Sequence, residues 1–164
     1  YLIFQFIIAM EMKKKVIISL ITILAIGAAV FGYWTISPLF INVRVSEEMP
    51  SAVISELSKP AILSRGEFMG VKGHNAEGTA EILDIAGKKY IRFEENFKVT
   101  NGPDLFVYLG KNGQYDSTAN LGRLKGNIGS QNYEISAELD ISEYDSVWVW
   151  CRAFSVGFGV AEIK

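Results

Sequence analysis

The sequence predicts an all-β fold, a single β-sandwich of about eight strands preceded by one N-terminal transmembrane helix. Three observations carry this prediction. The length of 164 residues suits one domain with an extension, residues 16–34 carry no charge, and from residue 61 onward short apolar runs of period two alternate with Gly, Asn and Asp. We therefore divide the chain into an apolar extension (1–11), a membrane anchor (12–36), a linker (37–60) and a β-sandwich domain (61–164).

The uncharged run has the length of a membrane span. Its 19 residues would form a helix of about 28 Å, close to the hydrocarbon thickness of about 30 Å. Lys13, Lys14 and Lys15 precede the run, and no charge follows it before Arg44. The positive-inside rule then predicts a single-pass protein of the cell membrane, with a cytoplasmic N-terminus and an extracytoplasmic C-terminal domain. The alternatives are a cleaved signal peptide, although no clean A-x-A cleavage site follows the run, and a buried core helix.

The segments on either side of the anchor are less informative. Residues 1–11 are mostly apolar and do not begin with Met, so we expect either a fragment or a true start further along, at Met10 or Met12. Residues 37–60 contain three of the four prolines, which is typical of a linker. A serine cap could begin a short helix over 52–57. We expect this linker to pack loosely or to hold the domain off the bilayer.

Period-two runs predict the strands of the domain. Residues 85–88 indicate a hairpin turn, and the N-G-P-D sequence at 101–104 indicates a second turn. No helical pattern of useful length interrupts the strands, which favours a sandwich or a barrel. The predicted strands are 66–71, 78–84, 89–93, 97–99, 105–109, 132–139, 146–153 and 156–163.

The strand around residue 150 is the most informative of these. Its side chains alternate between two faces, with Val147, Val149 and Cys151 on one and Trp148, Trp150 and Arg152 on the other. Both faces are apolar at the centre of the strand. This pattern predicts a central strand that is covered on both sides, or an inner strand whose outer tryptophans form a binding surface.

Composition excludes several classes of function. Lys and Arg number 16 and Asp and Glu 18, so the chain lacks the basic face of a nucleic-acid-binding protein. One Cys and one His exclude an intrachain disulfide and a zinc site built from several such residues, so we predict no metal site. No nucleophile motif accompanies the single His, and Glu94 and Glu95 would point to opposite faces of a strand. These observations favour a module that is not itself an enzyme.

Cys151 and His74 are the candidate site residues. A lone thiol in an exported chain is unusual, and it could be a buried packing residue, a redox centre or ligand, or half of an intermolecular disulfide. His74 lies in a glycine-rich loop. It could be a loop residue that hydrogen-bonds to the backbone, or it could be an axial or metal ligand with Met69 or Cys151 as the second ligand. The sequence lacks C-x-x-C-H, which excludes covalent c-type haem and leaves noncovalent haem as a candidate cofactor.

Four segments of the domain together form a recognisable pattern: GEFMGVKGHNAEGTAEI (66–82), NGPDLFVYL (101–109), LGRLKGNIGSQNYEI (121–135) and YDSVWVWCRAFSVGFGVA (144–161). In order and spacing, over about 100 residues, these segments resemble the electron-transfer DM-thirteen domain of Skeletor-type cell-surface proteins. One departure is Gly157, which stands where the family pattern often has Pro.

This resemblance implies a β-sandwich related in architecture to haem-binding domains and an extracellular redox or electron-transfer role. The hallmark cysteine of the family falls on Cys151, which would act as a bare thiol or as a ligand for a group such as haem, with His74 as a second ligand. A redox partner protein would then supply or accept electrons. The alternative is a non-catalytic adhesion or ligand-binding module, with Cys151 in the core and recognition by the loops around His74 and Lys125. A third alternative is a structural envelope protein that binds no ligand.

Overall fold

The structure, a computed structural model, describes residues 2–37, 40–50 and 60–164. It divides into two units, residues 1–38 and residues 39–164. The first contains one helix, α1 (Leu2–Ile36). Its segment Met10–Trp34 is long and apolar enough to cross a membrane, and its apolar residues do not segregate to one face. An all-round apolar surface is typical of a membrane span, so the predicted spanning helix is confirmed in length and composition.

The second unit is a large antiparallel sheet, which confirms the all-β prediction. Its strands are β1 (Ala61–Gly70), β2 (Ala76–Glu77), β3 (Thr79–Ile85), β4 (Lys88–Phe93), β5 (Lys98–Val99), β6 (Leu105–Lys111), β7 (Gln114–Arg123), β8 (Gln131–Glu134), β9 (Ser146–Cys151) and β10 (Val156–Glu162). Eight of them follow the order β7-β6-β9-β10-β1-β3-β4-β8 in the sheet, and β2 and β5 form a separate two-stranded ribbon.

The sheet is nearly barrel-like because its two edge strands, β7 and β8, approach each other. Just after β7, the Lys125 backbone N–H donates a hydrogen bond to the Tyr133 hydroxyl on β8 (3.1 Å). The inward faces of the strands enclose a single buried cluster. At its centre the rings of Phe68, Phe93 and Phe97 lie 4.5–5.0 Å apart between centroids.

Two tight hairpins differ in how well the sequence predicted them. The predicted turn at 85–88 is confirmed, with Ala86 and Gly87 both at positive φ (54° and 83°). A second hairpin of the same kind, at Asn112 and Gly113, leads into β7, which the period-two pattern did not predict. Most of β7 is at least partly exposed and only Ala119 is buried, because β7 is an edge strand.

Part of the predicted linker is docked on the domain. Residues 42–48, the strap, run beside the loop that follows β7. The Val45 N–H donates to the Ile128 carbonyl (2.9 Å), and the Glu47 N–H donates to the Ser130 carbonyl (2.9 Å). A Cβ at Gly129 would overlap the Val45 carbonyl oxygen, so the strap lies this close only because residue 129 is glycine. The short helix predicted over 52–57 lies outside the described residues.

Candidate functional site

Cys151 is the last residue of β9 and lies between two paired strands. Its partners in register are Leu105 on β6 and Val156 on β10. The side chain has no solvent exposure and belongs to the apolar cluster that also contains Val149 and Phe158. β9 is a central strand and its inward face is buried, as its alternation predicts. A thiol that is buried among apolar side chains is unreactive until a local opening of the structure exposes it to solvent.

The turn after Cys151 is exposed, and the side chain of Arg152 anchors it to Asp104. Residues 152–155 connect β9 to β10. The Arg152 N–H donates to the Asp104 carbonyl (3.0 Å), and Arg152 Nε donates to Asp104 Oδ2 (3.1 Å). The guanidinium lies 3.5 Å from the centre of the Phe106 ring. We call Asp104, Phe106 and Arg152 the latch, because they hold the end of the hairpin that seals Cys151.

The outer tryptophans of β9 are partly covered. Tyr115, on the edge strand β7, stacks on Trp150 with ring centroids 3.9 Å apart. Trp148 Nε1 donates a hydrogen bond to Ser146 Oγ (3.2 Å). The outer face of β9 is therefore half-buried under β7 instead of forming an open platform of two tryptophans.

His74 lines a cleft on the domain. Its ring stacks on Phe158, with centroids 3.6 Å apart and planes 11° from parallel. The tight turn before it has Lys72 and Gly73 at positive φ (55° and 82°). The cleft holds about 620 Å³ and is lined by Asn42, Gly70, His74, Asn75, Ala76, Glu77, Lys98, Val99, Thr100, Asn101 and Asn127.

Cys151 does not line this cleft. Phe158 contributes to the same buried cluster as Cys151 and carries the stacked His74 ring, so a phenylalanine side chain intervenes between the core and the cleft. The two residues that the sequence singled out are thus not brought to one cavity by the described residues.

Haem fits these residues poorly. The cleft offers one imidazole, and Met69, the other proposed ligand, is 55% exposed and does not line the cleft. Its walls are mostly amide, hydroxyl and charged side chains, whereas a haem pocket needs broad apolar walls and an axial ligand set. Among the described residues no group of three or more His, Cys, Asp and Glu side chains could hold a metal ion.

The loop that follows β7 contains Lys125, and this residue binds the strap through the carboxylate of Glu47. Lys125 Nζ donates to both carboxylate oxygens of Glu47 (2.7 and 2.9 Å), and the Asn132 N–H donates to Glu47 Oε2 (2.8 Å). Burial on its own would raise the pKa of Glu47, but these hydrogen bonds outweigh burial and hold the pKa below its ordinary value of 4.5. The ionised form of Glu47 therefore favours the docked strap.

This shift makes the stability of the strap pH-dependent. A carboxylate with a depressed native pKa stabilises the fold above its ordinary pKa of 4.5, and this stabilisation is lost as the pH falls through the native pKa. We expect Glu47→Gln to lower the unfolding temperature at pH 7, with the difference from the parent protein shrinking as the pH falls below 4.5 and vanishing below the native pKa of Glu47. Glu48→Gln is the matched control, and an equal effect of both substitutions would contradict this role of Glu47.

The class of protein follows from these features: an all-β domain around one buried thiol, joined to a helix apolar enough to span a membrane. A family model described as Electron transfer DM13 matches residues 67–163, more than half of the chain. The chain belongs to this family, which supports a redox role. Cys151 and His74 both fall within the match, whereas the strap lies outside it. No curated protein and no solved structure matches the chain.

Proposed function

We propose that the chain is a membrane-anchored, extracytoplasmic redox module whose redox centre is the sulfur of Cys151. The observation that carries the proposal is the position of the only cysteine: it lies within the region matched to an electron-transfer family, one residue from an exposed turn. Lys13, Lys14 and Lys15 before the span favour a cytoplasmic N-terminus and an exported domain.

The proposed chemistry is thiol–disulfide exchange with a partner protein. The Cys151 thiolate attacks one sulfur of a partner disulfide, and a new S–S bond forms while the partner's bond breaks. The other partner sulfur leaves as a thiolate, and the Cys151 proton goes to water. Because the chain has one cysteine, it cannot form an internal disulfide, so the second sulfur must come from the partner.

The exchange requires a local opening, since no partner sulfur can reach a side chain with no solvent exposure. The smallest opening that frees Cys151 is the fraying of the hairpin end at Cys151 and Val156, the last residue pair before the turn. The latch opposes this fraying through Arg152. We therefore assign Arg152 a positioning role that sets how often the thiol is exposed.

Weakening the latch is expected to expose the thiol. Arg152→Ala removes a charge-assisted hydrogen bond and a cation–π contact, and we expect Cys151 to react with a maleimide about tenfold faster. The measurement is the labelling rate of the full chain in intact cells with a membrane-impermeant maleimide. Any label reports Cys151, because the chain has no other cysteine.

A matched control separates this effect from general loosening. Lys88→Ala breaks an exposed ion pair with Glu134 (3.3 Å) on β4 and β8, away from the latch, and should leave the labelling rate unchanged. Equal rates for Arg152→Ala and the parent protein would contradict the latch. Labelling that occurs only after the cells are broken would contradict the extracytoplasmic orientation.

A ligand-binding module is the second candidate function. It is favoured by the polar cleft at His74, which Cys151 does not line. The two functions are compatible, because the cleft and the latch use different side chains.

A further inference from the structure

Several polar groups converge on the cleft without a hydrogen-bonding partner among the described residues. The His74 ring is held by its stack on Phe158, yet neither imidazole nitrogen has a hydrogen-bonding partner in the part of the chain that the structure describes. The Asn75 side chain likewise has no partner among the residues described, and only the backbone N–H and carbonyl of Asn75 bond to Thr100. Lys98 and Glu77 form a loose pair at 3.7 Å, with side chains 61% and 70% exposed.

Three other lining residues of the cleft, Asn42, Asn101 and Asn127, are hydrogen-bonded through their side chains. Asn42, on the strap, accepts hydrogen bonds at Oδ1 from Asn101 Nδ2 (3.0 Å) and from Asn127 Nδ2 (2.9 Å). Asn127 also accepts at Oδ1 from the Val43 N–H (2.7 Å) and so joins the cleft to the strap. The cleft therefore combines amides that are fixed by mutual hydrogen bonds with side chains that have unused hydrogen-bonding capacity for a polar ligand.

The chemistry of the lining selects an uncharged ligand. Lys98 and Glu77 cancel in charge, and the remaining polar side chains of the lining are amides, a hydroxyl and one imidazole. Such a lining offers no net attraction to a phosphate or to a cation. Side-chain amides both donate and accept, as sugar hydroxyls do, so a glycan can satisfy them.

Size and shape favour a glycan over a peptide. The cleft of about 620 Å³ lies within the range of small-molecule sites. Many peptides dock by adding a strand to a sheet edge or by filling apolar pockets, whereas Ala76 and Val99 are the only apolar side chains among the described residues that line this cleft.

We propose that the cleft lined by His74, Asn75 and Lys98 binds a neutral glycan segment. This inference rests on the second candidate function, a ligand-binding module, and specifies the class of ligand that the module would bind. It does not involve Cys151, so the glycan site and the redox thiol succeed or fail separately.

The test uses the full chain in lipid nanodiscs, so that no sugar-based detergent competes. Saturation-transfer NMR with maltotriose and with the N-acetylated trisaccharide chitotriose should show transfer to at least one of them, with a dissociation constant of about 1 mM or tighter. Asn75→Ala should weaken binding about tenfold, because its amide contacts only the ligand. The same substitution should leave the unfolding temperature unchanged, since the side chain has no partner among the described residues.

Lys98→Ala is a second test variant and should weaken glycan binding. Lys88→Ala is its control, because it breaks the comparable exposed ion pair with Glu134 and should leave glycan binding unchanged. Cys151→Ala should bind as the parent protein does. The proposal is overturned if neither trisaccharide shows transfer, if binding survives Asn75→Ala and Lys98→Ala at full strength, or if inorganic phosphate displaces the sugar.

Discussion

Replacing Gly129 with alanine is expected to undock the strap and to destabilise the domain by at least about 3 kcal/mol. Gly129 has a φ of +95°, and a Cβ there would overlap the backbone carbonyl oxygen of Val45. Neither group is a flexible side-chain end that could move aside, so the strap must shift. The measurement is denaturant unfolding of the full chain, together with limited proteolysis across residues 40–50, which should accelerate.

Gly122→Ala is the matched control for Gly129→Ala. Gly122 also has a positive φ, +122°, but nothing lies within 4 Å of a Cβ built there. It therefore isolates the strain of the backbone conformation, which costs about 1–3 kcal/mol without a clash. Equal destabilisation by both substitutions, with no gain in cleavage of the strap, would show that close approach of the strap does not depend on glycine at 129.

Replacing Cys151 is expected to abolish the redox exchange completely while leaving a folded domain. Cys151→Ala keeps an apolar side chain in an apolar site and should cost about 1 kcal/mol. Cys151→Ser places a hydroxyl beside apolar neighbours and should cost about 1–3 kcal/mol. The measurement is the yield of mixed disulfide with a small-molecule disulfide, compared with the unfolding free energy of each variant.

The comparison of the two variants separates redox chemistry from packing. Both variants should lose all adduct formation, although they differ in stability. A purely structural cysteine would instead give variants that differ from the parent protein only in unfolding free energy, with no exchange to lose in any of the three proteins.

Strand pattern was predictable where a strand is central. The alternation of Val147 to Arg152 correctly assigns the inward and outward faces of β9, because a period of two follows directly from backbone geometry. β7 was not predicted, because an edge strand buries little and its side chains carry no apolar alternation. The Asn112–Gly113 pair that precedes β7 was the available signal for that hairpin.

The cleft and the strap were not predictable from local pattern. Asn42 and Asn127 are 85 positions apart in sequence, yet their side chains are hydrogen-bonded. Asparagines scattered through loops match no motif, and their convergence depends on the tertiary fold. The expected pairing of His74 with Cys151 could not be predicted reliably for the same reason. Strand geometry fixes the direction of the Cys151 side chain, whereas the position of His74, a loop residue, depends on its packing against Phe158.

Equilibration of the full chain in nanodiscs with small thiol–disulfide pairs of stepped ratio tests the redox role of Cys151 most directly. After an acid quench, intact-mass spectrometry gives the fraction of chain carrying an adduct. We predict one adduct per chain, a fraction that follows the thiol–disulfide ratio reversibly, faster exchange in Arg152→Ala and none in Cys151→Ala. A chain that stays fully reduced at every ratio in both the parent protein and Arg152→Ala, and reacts only when denatured, would contradict the account.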